Sequence, residues 1–325
     1  MIEGVLLGCH SSKAMQNLII IFASFIAGLI CQRWRRYPPQ TAAALNAFVI
    51  SISLPALILL KVPKILAGNE SLSEGWIPVA FMWVMFFLGW GVIAFIGRKL
   101  QWSRPKIGAL ALTVGLSNTS FVGLPLLKAV VGDSALPYGI LADQLGAFLI
   151  LSTMGIFVAA LYSGSQLKAS TILLRVVTFP PFVSLLLSLV WAVSGLYKIE
   201  VLNLSLEVLA SALVPLALFA VGFMSRFNLA VLKRRMKPLV IGLSLRLFFL
   251  PLILFVAMKF LLSGGKPFSL SMQVTILEAA MATQITSSVV ANEFNLDGEV
   301  ANLMVALGVP LSLLTIPLWA HFLVV

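Results

Sequence analysis

Apolar runs long enough to cross a bilayer, separated by short polar or basic connections, fill the chain from end to end. A spanning helix needs ~20 apolar residues. Ten such runs lie near 15–33, 41–60, 76–97, 106–130, 136–162, 172–195, 201–225, 238–262, 269–291 and 299–324. Most lack the polar face that a helix packed on a soluble core would show. No soluble domain or low-complexity linker interrupts them. The pattern predicts an all-α membrane protein with ten transmembrane helices in one membrane domain.

One run contradicts its surroundings. Between about Pro105 and Val131 the chain is apolar, yet Gly115-Leu-Ser-Asn-Thr-Ser-Phe-Val-Gly-Leu-Pro125 carries two glycines, a proline and four consecutive hydroxyl or amide residues, Ser117 to Ser120. Backbone groups freed in hydrocarbon survive only where protein buries them or where they line a cavity. Secondary transporters place such broken helices at mid-depth, where half-helix ends meet the substrate. A tolerated Gly/Pro kink is the plainer reading, but four polar side chains in a row exceed what a kink needs.

A repeat spans about half the chain. Ser51-Ile-Ser-Leu-Pro55 matches Ser211-Ala-Leu-Val-Pro215 at an offset of 160, and Pro78 matches Pro238 at the same offset. Span 4 then corresponds to span 9, whose middle, Met281-Ala-Thr-Gln-Ile-Thr-Ser-Ser288, is again polar. Five spans per repeat turn the second half over in the membrane. The expected organisation is two inverted five-helix repeats, 1–162 (spans 1–5) and 163–325 (spans 6–10), with discontinuous helices 4 and 9 crossing at the repeat interface.

Composition agrees with this reading: 60% of the 325 residues are hydrophobic and 10% charged, against ~25% charged in soluble domains. The net charge of +11 does not mark a nucleic-acid binder, because the basic residues sit in short clusters between spans and are not interleaved with aromatics. Arg33, Arg35 and Arg36 follow the first span; Arg98, Lys99, Arg104 and Lys106 follow the third. Arg226, Lys233, Arg234, Arg235 and Lys237 follow the seventh, and Lys168 falls on the same side. The other side has only Lys13, Lys61, Lys64, Lys128, Lys198 and Lys266. The positive-inside rule puts the richer set in the cytoplasm and both termini outside. The acidic loop Glu293–Asp297 weighs little in that rule. Cys9, Cys31, His10 and His321 give no metal-ligand or disulfide spacing. The first long apolar run is a full span, with no cleavable signal peptide evident.

Each charge at a helix centre costs ~2.5–3.5 kcal/mol on insertion scales, so the intramembrane inventory is informative. At ~1.5 Å per residue, Arg246 lies about 12 Å into span 8 and Glu278 about 13 Å into span 9. Asn118 is just past the middle of span 4. Arg246 and Glu278 read either as a structural ion pair or as functional groups: Arg246 for an anionic substrate, Glu278 for a proton or coupling cation. Asp143-Gln144, early in span 5 and about 9 Å from Pro137, is either a shallow acid reaching outer water or a cation ligand. Glu207 and Lys259 lie close enough to span ends to snorkel. Asn46 is helix-to-helix glue or pocket lining.

With these residues in view, the chain resembles the auxin efflux carrier family of the bile-acid-symporter-like superfamily. The resemblance rests on Asn118-Thr-Ser-Phe-Val-Gly123-Leu-Pro125, Ala142-Asp143-Gln144-Leu-Gly146 and Leu54-Pro55-Ala56, and covers the whole chain. It implies a scaffold domain and a transport domain, broken spans 4 and 9, a scaffold-mediated homodimer, and organic anion substrates such as malonate, malate and auxin-like acids. Asn118, Thr119, Gly123 and Pro125 match the first crossover and would line the site. The chain lacks the long hydrophilic loop of the large plant exporters, so it resembles the short bacterial form in the cytoplasmic (inner) membrane. Span 9 lacks the proline expected at its crossover and offers Ala282, Thr283 and Gln284 instead.

The expected function is therefore a secondary carrier of small organic carboxylates, not an enzyme. Asn118, Thr119, Gly123, Pro125, Arg246, Thr283 and Gln284 are expected at the substrate, and Asp143, Gln144 and Glu278 at a coupling H+ or Na+. No other cofactor or metal is expected; the partners are the anion and the lipid bilayer. The alternatives are a channel or sensor on the same fold, or an intramembrane serine protease built on Gly115-Leu-Ser117. The protease lacks a base near Ser117.

Overall fold

The computed structural model describes residues 12–34, 37–38, 40–67, 74–164, 177–224 and 229–323, and all its regular elements are helices. Cys9, His10, Arg35, Arg36, Lys168 and Arg226 lie outside the described residues. In chain order the helices are α1 (Ser12–Cys31), α2 (Thr41–Lys64), α3 (Trp76–Lys99), α4 (Arg104–Gly115), α5 (Thr119–Val130) and α6 (Asp133–Ser163). After them come α7 (Pro180–Ser194), α8 (Glu200–Met224), α9 (Met236–Leu261), α10 (Leu270–Ala280), α11 (Ile285–Glu293) and α12 (Gly298–Leu323), with one short further helix, Leu229–Arg234, between α8 and α9.

Among the described residues, six helices (α2, α3, α6, α8, α9 and α12) are apolar and long enough to cross a membrane. The other four expected spans hold shorter helices. Two of those spans, the fourth and the ninth, are each divided into a pair, α4 with α5 and α10 with α11.

Local chemistry sets many helix ends. Pro105 and the Pro180-Pro181 pair stand in the first turns of α4 and α7, where a missing N–H costs nothing. Ser269 caps α10, its side chain accepting from Met272 N, which satisfies one orphan donor. Gly195 stops α7 with a φ of +72°, a conformation open to glycine and strained for other residues.

Prolines also shape the helix interiors. Widened π turns occupy Val49–Ser53 in α2, Thr119–Gly123 in α5 and Leu245–Phe249 in α9. A proline stands two positions beyond each: Pro55, Pro125 and Pro251. A proline ring clashes with the carbonyl four residues back and cannot donate to it, and a π turn relieves both problems. In α9 the carbonyl left without its usual donor is Leu247 O, and the indole of Trp319 on α12 donates to it at 3.0 Å.

The chain forms two compact units, each drawing on both halves of the sequence. The first comprises Met1–Gly75, Ser120–Ile140 and Val177–Ser225. Within it α1 packs along α8 and α2 along α7. The α1–α8 contact depends on reciprocal glycines. A Cβ on Gly28 would lie 2.2 Å from Phe219 O, and one on Gly222 would lie 2.2 Å from Phe25 O. Small residues give membrane helices this closeness. Beside the crossing, Ala42, Ala220 and Phe223 form a small buried cluster, and Gln32 Nε2 donates to Phe223 O at 2.7 Å.

The second unit comprises Trp76–Thr119, Leu141–Val176 and Arg226–Val325. Here α3 packs against α4 and α10, with Gly89 facing the Cα of Gly115. Trp83 Nε1 donates at 3.0 Å to Leu145 O, a carbonyl inside the π segment Ala142–Phe148 of α6.

The reciprocal glycine contact can be tested directly. Gly222→Ala forces backbone apart, at a cost of roughly 1–3 kcal/mol, and should lower the melting temperature in detergent. Gly91→Ala, whose Cβ would meet nothing within 4 Å, should melt like wild type or higher.

Candidate functional site: two helix breaks closed on each other

Helix α4 stops at Gly115 and the chain runs extended through Leu116 before α5 begins at Thr119. Helix α10 stops at Ala280, Met281 and Gln284 are extended, and α11 begins at Ile285. Span 9 is therefore broken without a proline. The two interruptions pair as a short antiparallel bridge between Ser117 and Thr283. Asn118 N donates to Ala282 O at 2.8 Å and Gln284 N to Leu116 O at 3.0 Å.

A break in a buried helix strands carbonyls, and each needs a donor. In an unbroken α4, Thr113 O would accept from residue 117 and Val114 O from residue 118. Thr283 Oγ1 takes Thr113 O instead, at 2.9 Å. Val114 O accepts from Arg246 Nη1 at 3.0 Å. On the other break, Ala279 O accepts from Arg246 Nη2 at 2.5 Å and Met281 O from Arg246 Nε at 3.0 Å. Arg246 Nη2 also donates to Ser117 Oγ. One guanidinium, 0% exposed, thus holds the C-terminal ends of α4 and α10 together. Those ends carry the negative poles of the helix dipoles, which offset the cost of burying a cation. The fork of five donors suits this task as an ammonium would not.

Of the two readings of Arg246 and Glu278, the structural ion pair does not form: both Glu278 oxygens are buried without a hydrogen-bond partner. The side-chain carbonyls of Gln144 and Gln284 are in the same condition. Asp143, 1% exposed, does not reach water. It accepts from Thr119 Oγ1 and, at 2.6 Å, from Gln144 Nε2. Asn118, Thr119, Asp143, Gln144, Arg246, Glu278, Thr283 and Gln284 therefore all belong to the second unit, and all but Gln284 are buried. Gly123 and Pro125 belong to the first.

Three participants went unassigned in the sequence. Ser117 was visible as part of the polar run, but its role as an acceptor for Arg246 was not. Trp319 and Gly308, the latter packed beside the backbone of Thr283, left no signal in an apolar helix. Ser117 Oγ faces a guanidinium, which cannot take its proton, and this arrangement is unlike a protease nucleophile.

The profile of the membrane transport protein family matches residues 13–320. The chain belongs to that family, the auxin efflux carriers. Two relatives in this family match across most of their length. One is an uncharacterized transporter of Methanothermobacter thermautotrophicus, 28% identical over 283 residues, covering 86% of this chain and 89% of the relative. The other is an uncharacterized transporter of Methanocaldococcus jannaschii, 25% identical over 314 residues, covering 95% and 98%. This auxin efflux carrier family member is thus a multi-pass membrane protein of a transporter family.

Arg246→Ala removes a buried cation from four acceptors and should cost roughly 3–5 kcal/mol, read as a large drop in melting temperature. Arg246→Lys should recover only part of it. Thr283→Val, which strands one carbonyl, should cost roughly 1–3 kcal/mol. A lysine variant as stable as wild type would show that the fork geometry is dispensable.

Proposed function

We propose that the chain is a secondary carrier of small organic carboxylates such as malonate or malate, working by alternating access at the paired helix breaks. The observation that carries this reading is the bridge at Ser117 and Thr283, two unwound segments joined inside an apolar protein. Helices α5 and α11 start there, with Asn118 and Gln284 immediately before their first residues. Helix N-termini present unpaired N–H groups and a positive dipole end to an anion. Arg246 adds a full positive charge from behind the breaks while holding them in place. The matching features of the two sequence halves support an inverted repeat, and the basic loops support outward-facing termini.

Coupling is assigned to Glu278 and Asp143. A buried carboxyl without a donor is costly to keep ionised, so Glu278 suits a group that takes up a proton or cation during the cycle. The unpartnered carbonyls of Gln144 and Gln284 supply further acceptors for a cation.

Reconstituted protein should catalyse saturable malonate or malate counterflow. Asn118→Ala and Thr283→Val should lower it about tenfold or more, the scale of one lost buried hydrogen bond. Glu278→Gln should retain counterflow but lose its response to a proton or sodium gradient. An unaltered gradient response would remove Glu278 from coupling. Ion currents without saturable counterflow would replace the carrier with a channel.

A further inference from the structure

The turn that joins α3 to α4 carries two cations with nothing to neutralise them. Arg98 and Lys99 end α3, and both are exposed. Basic side chains in a last turn commonly serve the orphan carbonyls there, but these carbonyls are already served. Ile96 O accepts from Leu100 N at 2.9 Å and Gly97 O from Trp102 N at 2.8 Å. Arg98 O accepts from Gln101 N at 3.3 Å and from Gln101 Nε2 at 3.1 Å. Gln101 reaches it with a φ of +53°, a left-handed conformation usually left to glycine. Nor does an acid answer the charge. Asp297, whose backbone N donates to Pro105 O beside the turn at 3.3 Å, pairs with Arg235, and Glu299 pairs with Arg234 and Arg235. Among the described residues, Arg98 and Lys99 pair with no carboxylate.

The same two side chains border a shallow cavity of about 360 Å³, with Phe95 and Gln101 as its other walls. Phe95 precedes Arg98 by three residues and Lys99 by four, so all three share one face of α3. Phe95 is 64% exposed and belongs to the apolar span Trp76–Lys99, with Lys99 Nζ 5.8 Å from its ring centre. The cavity therefore straddles the boundary between hydrocarbon and headgroups, apolar on one side and doubly cationic on the other. A soluble anion uses only the cationic side; a phospholipid uses both. Phosphate oxygens accept in pairs from the Arg98 fork, and Lys99 adds a point charge. Gln101 keeps its side-chain carbonyl for a headgroup hydroxyl. A choline head would bring a cation that Arg98 and Lys99 repel.

We infer that Phe95, Arg98, Lys99 and Gln101 form a binding site for one anionic phospholipid of the phosphatidylglycerol type, its phosphate on the two cations and the root of an acyl chain on Phe95. The site lies apart from the paired helix breaks and does not depend on the carrier reading. Lipid-stripped protein in detergent, titrated with dioleoyl phosphatidylglycerol or dioleoyl phosphatidylcholine and read by native mass spectrometry, tests it. The first phosphatidylglycerol should bind roughly thirtyfold more tightly than the first phosphatidylcholine, the scale of two basic residues acting on an anionic lipid. Arg98→Gln with Lys99→Gln should abolish that preference. Lys233→Gln with Lys237→Gln, which removes the same charge from exposed positions of the same unit, should keep it. Glycerophosphoglycerol, the headgroup without chains, should fail to compete. Equal losses in the two double variants would reduce the effect to general surface charge and overturn the inference. So would equal affinity of the wild type for the two lipids, a comparison that needs no variant to fold. Competition by glycerophosphoglycerol matching that of the intact lipid would overturn it as well.

Discussion

Stopping a helix inside an apolar protein leaves carbonyls that water cannot reach, and the second unit is organised around finding them donors. Two helices stop, and their stranded oxygens could not all be served by the short bridge between the breaks. Arg246 supplies what the bridge lacks, reaching both helix ends and the Ser117 hydroxyl. The cation is tolerable there because it faces carbonyl dipoles, and the breaks are tolerable because the cation is there. Neither arrangement stands without the other.

This mutual dependence explains what the amino-acid order could and could not reveal. The first break announces itself, since Ser117 to Ser120, four polar side chains in a row, exceed what a glycine or proline kink in a membrane helix needs. The second break has no proline, and its cause is largely non-local: the Thr283 hydroxyl finds a carbonyl on α4, and Arg246 arrives from α9. Arg246 and Glu278 could be recognised as buried charges from depth alone. That Arg246 would prefer carbonyls to Glu278 could not be, because it depends on which oxygens the helix ends leave open. Asp143 misleads for a similar reason: its depth suggests a shallow acid, yet Thr119 and Gln144 enclose it.

The helical class and the membrane setting were legible because they follow from composition summed over many residues. The close contact at Gly28 and Gly222 was not. Glycine is common in membrane helices, and only the backbone of a neighbouring helix shows which glycines are obligatory. Trp319 is similar: an indole in an apolar helix looks like packing until the carbonyl opposite Pro251 is seen to need it.

The proline-linked π turns bear on how any residue beyond them should be assigned to a surface. Each inserts one residue without completing an ordinary turn, so side chains past it are carried round the axis by ~100°. A helical wheel drawn from Thr41 therefore loses phase at Ser53, before it reaches Lys61. In α2, α5 and α9, the stripe that a residue occupies has to be counted from the nearer end.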